Sequence, residues 1–393
     1  MRYSPLTERL AGHGAGAWSI GDRARRLRAA GRDVIVLTVG DPDQEPPAPL
    51  IDATIAALRA GRTGYAPILG HAALREAIAA RHARRSGQPC TADNVTVAPG
   101  AQGGLFCALL CLAGPGDEVV VLEPTYATYA GVAAAAGARL VPAPLDPAHG
   151  FHPDPARIAA AITPRTRVLW INTPHNPTGA VFTHDEMAAI AELCRRHDLW
   201  LLSDEVYEDL AFARPHIGAW SFADMAERTV VVSSLSKSHA VPAFRLGWII
   251  GPPPLAGHLF RLLLSMTYGS PDFIQAGALA AFAADLDEVA SLRADYARRA
   301  RLVAELLADA PNCRVVPPEG GMFVLLDIRP SGLAAPEFAE RLLESEGVAV
   351  LACDGFGASA VGHLRIALSV ADARLAEAGR RIVRFARGLA AGA

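Results

Sequence analysis

The chain has 393 residues, is 51% hydrophobic and 20% charged, and carries a net charge of −3 with a pI of about 6.5. That is enough apolar sequence for a sizeable core in about two domains, with no basic surplus to hold nucleic acid or an anionic membrane. The first twenty residues contain Arg2, Glu8 and Arg9 but no apolar segment, and no apolar run is long enough to span a bilayer, so neither a signal peptide nor a membrane helix is expected.

Taken in order, short β-rich runs alternate with helical patterns. Strands are predicted at residues 95–98, 118–122, 139–142, 168–171, 199–203, 229–233 and 246–250. Several are apolar throughout, as strands buried on both faces are. Thr183-His184-Asp185-Glu186 has the form of a capping box and opens a helix running to about His197. From about residue 287 the texture changes. A long helix over 288–308 leads into a strand at 320–327, a helix over 336–345, short strands near 348–351 and 363–368, and a final helix. The pattern is α/β, a large domain with a mostly parallel central sheet flanked by helices plus a smaller α+β domain. The expected division is 1–40 as an N-terminal arm shared with the small domain, 41–286 as the large domain and 287–393 as the small one. Six cysteines (90, 107, 111, 194, 313 and 353) and twelve histidines show no CxxC or HExxH spacing, so reduced thiols, a cytoplasmic location and no metal site are expected.

Of the 37 basic residues, 36 are arginines and one is a lysine, Lys237, in Ser233-Ser234-Leu235-Ser236-Lys237. A guanidinium keeps its proton at any working pH, whereas an amine can lose it and attack a carbonyl or act as a base. Lys237 therefore reads as an imine-forming lysine. The other polar candidates follow apolar strands, where the carboxyl ends of a parallel sheet leave a crevice. Asp204 follows 199–203, Ser234 and Lys237 follow 229–233, and Asn172-Thr173-Pro174-His175-Asn176-Pro177-Thr178-Gly179 follows 168–171. Pro99-Gly100-Ala101-Gln102-Gly103-Gly104 follows 95–98 and opens a helix, whose free N–H groups favour a phosphate. No GK[ST] closes that loop. Arg245, at the predicted start of the next strand, is placed to clamp the same phosphate. Singly, these segments read equally well as caps and turns; their joint placement points to pyridoxal phosphate.

The same motifs carry a resemblance over nearly the whole chain to the class I/II aminotransferases of pyridoxal-phosphate fold type I. They run in order through Val39-Gly40-Asp41-Pro42-Asp43, Tyr65, Gly70, Leu74-Arg75, the Gly100 loop, Pro124-Thr125-Tyr126, Asn176-Pro177-Thr178-Gly179, Asp204-Glu205-Val206-Tyr207, Ser234 to Lys237, Arg245-Leu246-Gly247 and Arg365. The resemblance implies that Lys237 joins the cofactor aldehyde and later moves the substrate proton. Asp204 would keep the pyridine nitrogen protonated, Tyr207 and Asn176 would bond the phenolic oxygen, and Tyr126 would stack on the ring. Gly100, Ala101, Gln102, Ser234, Ser236 and Arg245 would surround the phosphate, with Tyr65 reaching in from the second subunit of a homodimer with shared active sites. Arg365, Gly40 and Asn176 would hold the substrate α-carboxylate. Two departures stand out: Ala352-Cys353-Asp354-Gly355 where the family usually has Pro-Gly ahead of Phe356-Gly357, and Ala243 where it often has Gly.

Within the family, several stretches are most similar to the bacterial arginine:pyruvate transaminases: Met1-Arg2-Tyr3-Ser4, Ala11-Gly12 through Trp18, Ser236 to Ala240, Tyr268-Gly269-Ser270-Pro271-Asp272-Phe273-Ile274-Gln275, and Gly321-Met322-Phe323 to Arg329-Pro330. This implies a ping-pong transfer of the L-arginine α-amino group to pyruvate, giving 2-ketoarginine and alanine. A guanidinium needs a carboxylate partner, and the candidates are Asp272, Asp41, Asp43 and Glu45, with Asp272 preferred because its segment can approach the neighbouring subunit's site. Competing expectations are a broad-specificity aspartate, aromatic or branched-chain aminotransferase and a pyridoxal-phosphate-dependent arginine oxidase or lyase. A non-catalytic cofactor-binding sensor is disfavoured, because no helix-turn-helix pattern precedes the start of the aminotransferase pattern near Val34.

Overall fold

The computed structural model describes residues 2–10, 19–284 and 287–391. Met1, the stretch from Ala11-Gly12 to the residue Trp18, and residue 286, where the domain boundary was expected, lie outside the described residues.

Strand β1 (Ile35–Val36) comes first, and β2 (Val95–Ala98), β3 (Glu118–Glu123), β4 (Arg139–Pro144), β5 (Thr166–Asn172), β6 (Trp200–Asp204), β7 (Thr229–Ser234) and β8 (Gly247–Ile250) follow. The last seven form one sheet in the order β2-β8-β7-β6-β5-β3-β4. Its pairs from β7 to β4 are parallel, and β8 runs antiparallel to both β7 and β2. Every residue of β2, β7 and β8 is buried, which explains why these runs are apolar rather than alternating. One core packs helix Gly100–Leu112 onto one side of the sheet through Leu105, Ala108 and Leu109. A second, built around Trp248, Val97 and Leu74, fills the other side.

Strands β9 (Arg314–Val316), β10 (Phe323–Asp327), β11 (Val348–Ala349), β12 (Leu351–Ala352) and β13 (His363–Ala367) belong to the C-terminal part. A four-stranded antiparallel sheet runs β12-β13-β10-β9. Its core packs against helices Asp287–Leu307, Ala335–Glu346 and Asp372–Ala391. The chain before the large sheet joins this part, since β1 pairs in parallel with β11. The capping box at Thr183 forms, with Thr183 Oγ1 accepting from the Glu186 amide and the Glu186 carboxylate accepting from the Thr183 amide at 2.7 Å. Among the described residues no helix is long and apolar enough to cross a membrane.

Candidate active site

Three neighbouring strands end side by side, with Asn172 closing β5, Asp204 closing β6 and Ser234 closing β7. Asn172 stands in register with Asp204. Polar side chains can emerge here because the sheet stops, and one cleft collects Asp204, Ser234, Lys237, Arg245, Tyr126 and Arg365. Lys237 sits in the short helix Leu235–Ser238 after β7, started by Ser234 Oγ accepting from the Ser236 amide at 3.3 Å. Its Nζ donates to the Gly40 carbonyl at 2.5 Å. Burial lowers the amine to about 8, against the opposing pull of Asp41. The unprotonated fraction near neutrality is therefore raised well above that of an ordinary lysine, although the protonated form still predominates.

Asp204 is buried and forms no ion pair among the described residues. Its Oδ2 accepts from the Tyr129 hydroxyl at 2.6 Å and its Oδ1 from the Val206 amide at 3.3 Å. Burial pushes the carboxyl up to about 6, with these two donors pulling it back. Tyr129 itself stacks on Trp170 at 3.9 Å and meets Tyr126 edge-on at 5.9 Å. The backbone of Asp204 also organises the neighbouring loop. Its carbonyl accepts from Asn172 Nδ2 at 2.9 Å, and Asn172 Oδ1 in turn accepts from the Asn176 amide at 2.7 Å. Asn176 Nδ2 then donates to the Tyr207 hydroxyl at 3.4 Å. Burial raises the Tyr207 phenol well above its ordinary range, so it stays protonated.

Opposite these groups, helix Gly100–Leu112 begins with Gly100 in the left-handed region at φ 73°. A Cβ there would lie 2.3 Å from Arg245 Nη2, so only glycine allows the guanidinium to close on the helix start. Arg245 precedes β8 rather than opening it. It has φ 49° after the turn Pro242–Phe244, a left-handed bend needed to bring its side chain back, and Nη1 donates to the Pro242 carbonyl at 2.7 Å. Ala243 lies inside that turn. Ala101, Gln102, Ser234 and Ser236 line the same end of the cleft, and Gln102 Oε1 accepts from Thr128 Oγ1 at 2.8 Å.

At the other end Arg365, on β13, is 1% exposed. It donates to Asn176 Oδ1 at 2.9 Å and to the Thr38 carbonyl at 2.8 Å. Phe323 and Phe356 cover its guanidinium at 4.2 and 5.4 Å. The divergent loop at 352–355 thus still delivers Phe356 onto Arg365.

Gly100, Tyr65 and Asp272, with the further guanidinium candidates Asp41, Asp43 and Glu45, are not among the residues that line this chain's cleft. Tyr65 is 86% exposed and lies 4.8 Å ring to ring from Tyr268. Asp272 opens helix Asp272–Ala283, where its carboxylate is forked by the Arg62 guanidinium and also meets His71 Nε2 at 2.7 Å. The preference for Asp272 as a guanidinium partner therefore meets a carboxylate already holding a guanidinium. Asp43 is likewise engaged, by Arg299. Asp41 and Glu45 make no side-chain hydrogen bond or ion pair among the described residues. Tyr129 and Phe323 were given no role from sequence, and Asn172 was named only as the start of the segment that runs to Gly179. The only local signals were the spacing of Tyr129 three residues past Tyr126 and the place of Asn172 at a strand end.

The residues fit pyridoxal phosphate. A buried acid without an ion-pair partner suits its pyridine nitrogen, a lone amine suits its aldehyde, and the glycine turn with Ser234, Ser236 and Arg245 suits its phosphate.

Comparison with known proteins agrees with this arrangement. The sequence model for aminotransferase class I and II matches residues 32–382. The chain is 50% identical to the arginine–pyruvate transaminase of Pseudomonas aeruginosa over 97% of both chains. It is 36% identical to the aspartate/prephenate aminotransferase of Thermus thermophilus over 94% of this chain and 95% of that one. The structure of Thermus thermophilus aspartate aminotransferase with maleate superposes with a TM-score of 0.93 at 33% identity, covering 98% of this chain and all of the other. A likeness of this extent, in sequence and in fold, means that the chain belongs to the class I and II aminotransferases.

Proposed function

We propose that this aminotransferase uses pyridoxal 5′-phosphate to move the α-amino group of L-arginine to pyruvate, giving 2-ketoarginine and alanine. The observation that carries the donor assignment is the 50% identity to an arginine–pyruvate transaminase over nearly the full length. The cofactor supplies the aldehyde carbon that takes up the amino group and a ring that spreads the charge left when the α-proton departs.

The chain's own residues do the rest. Arg365, with Asn176 at its side, binds the α-carboxylate through a buried fork, and the Gly40 backbone borders the same end. Lys237 Nζ, with its affinity for protons lowered by burial, takes the proton from the substrate Cα and returns it to the acceptor carbon. Asp204 stays ionised opposite the pyridine nitrogen and keeps that nitrogen protonated, while Tyr129 fixes the direction of its carboxylate. Asn176 and Tyr207 hold the phenolic oxygen, and Tyr126 flanks the ring. Gly100, Ala101, Gln102, Ser234, Ser236 and Arg245 hold the phosphate. Asp41 receives the donor guanidinium, because its carboxylate makes no ion pair among the described residues and the residue follows Gly40, which lines the cleft. Asp272 is left to Arg62 and His71 in this reading.

We further propose a homodimer in the cytoplasm, with residues 41–286 forming the cofactor-bearing domain and 287–393, joined by 1–40, the smaller one. The outward Tyr65 and Tyr268 support a shared site, and the six free cysteines suit a reducing compartment.

The test is a set of single half-reactions on the cofactor-loaded enzyme, one per amino acid, following the visible absorption band. Arginine is expected to bleach it fastest, once, with recovery only on adding a keto acid. Continued turnover without a keto acid would instead identify an oxidase or lyase. Borohydride treatment should attach the cofactor to the peptide containing Lys237; its absence from that peptide would sink the whole assignment.

A further inference from the structure

The segment at residues 37–44 bridges the two sheets. The Leu37 amide donates to the Ala349 carbonyl, and its own carbonyl accepts from the Ala367 amide at 2.9 Å. The Thr38 carbonyl takes Arg365, and the Val39 carbonyl takes Ser369 Oγ at 3.0 Å. The next residue turns to the other side, the Gly40 carbonyl meeting Lys237 Nζ of the large sheet. A Cβ on Gly40 would stand 2.6 Å from the Phe323 ring that covers Arg365, so only glycine fits against it.

Beyond Gly40 the segment is held chiefly at Asp43, with Gln44 Oε1 accepting from the Tyr296 hydroxyl at 3.5 Å. Arg299, on helix Asp287–Leu307, is 6% exposed although it is charged. It grips both oxygens of Asp43, at 2.6 and 3.0 Å. The same guanidinium donates to the Leu368 carbonyl at 2.9 Å and to Asp372 at 2.9 Å. Leu368 lies three residues past Arg365. One planar fork therefore ties the segment carrying Gly40 to the end of the strand carrying Arg365. A single buried arginine with this many acceptors fixes both directions of approach, and a lysine, as a point charge, cannot reproduce the fork.

We propose that Arg299 is a positioning residue that, through Asp43 and Leu368, sets the register between the Gly40 carbonyl over Lys237 and the carboxylate-binding guanidinium of Arg365. It touches neither substrate nor cofactor. The inference rests on the assignment of Arg365 to the α-carboxylate.

The experiment compares Arg299→Lys, Asp43→Asn and Arg365→Lys in the cofactor-loaded enzyme. The readouts are the affinity for succinate and 5-guanidinopentanoate (carboxylates without an α-amine), taken from the spectral change they cause, and the steady-state constants. Arg299→Lys and Asp43→Asn are each expected to weaken analogue binding and raise KM about tenfold with kcat within about threefold. The double variant should be no worse than the worse single one. Asp43 is partly exposed, so its variant keeps the test open if Arg299→Lys folds poorly. A fall in melting temperature with unchanged analogue affinity, or an equal fall in kcat and kcat/KM, overturns the proposal. If Arg365→Lys weakens binding and the other two do not, the clamp is overturned and the Arg365 assignment stands. If none of the three weakens binding, both fall together.

Discussion

Asp204 closes β6 and Glu208 opens the short turn after it, and both carboxylates are buried, yet they sit in opposite electrostatic settings. Glu208 is met by Arg81 at 2.6 Å and Arg85 at 3.0 Å. Burial works against its charge, but these guanidiniums and His216 outweigh burial and hold the carboxyl well below the usual range. Asp204 has only a hydroxyl and an amide, and burial raises it to about 6. An acid whose cation is built into the chain is structural. A buried acid left without one carries a desolvation cost that a ligand cation can relieve. The same contrast recurs just past Gly40, where Asp43 is tied to Arg299 and Asp41 makes no ion pair among the described residues.

The largest effect should come from removing the acid without a partner. Asp204→Asn is expected to lower kcat about 10^3-fold while leaving the fold as stable or more so. Chemical denaturation beside steady-state kinetics would check it, and a large loss of stability would break the contrast. Glu208→Gln should do the reverse. It leaves Arg81 and Arg85 to Asp209 alone, and stability should fall by about 2 kcal/mol with kcat changed only severalfold. Asp41→Asn should raise KM for arginine about tenfold relative to an uncharged donor; equal losses on both would remove Asp41 from guanidinium recognition.

The smallest effect is on pH dependence. In the cofactor-free chain the Asp204 carboxyl lies above its ordinary 3.8, so the folded state holds its proton more tightly than the unfolded state. Its contribution to stability is present at low pH and is lost as pH rises from about 3.8 through about 6. Asp204→Asn should flatten that part of the stability curve, and saturating cofactor should reverse it by supplying a cation. An unchanged curve in the variant would show that some other group carries the dependence.

Much of the site was legible because it is local. Asp204, Ser234 and Lys237 stand out by falling just after apolar runs, and Gly100 and Arg245 by their place beside a helix start. Arg245 was misplaced by one element boundary, since a left-handed turn residue leaves no periodic trace. Tyr129 was missed because nothing in its neighbours foretells a hydroxyl 2.6 Å from an acid 75 residues away. Asp272 was preferred from its segment alone, and its capture by Arg62, 210 residues distant, depends on how two helices pack.

What the sequence determined by itself is the alternation of strands and helices, the polar residues at strand ends and the single amine among 36 arginines. These are properties of short windows, where periodicity and residue chemistry act directly. Only the tertiary structure decided which acids are spent and which are free. Whether a carboxylate meets a guanidinium is set by sheet order and helix packing, which bring together residues as far apart as Asp43 and Arg299.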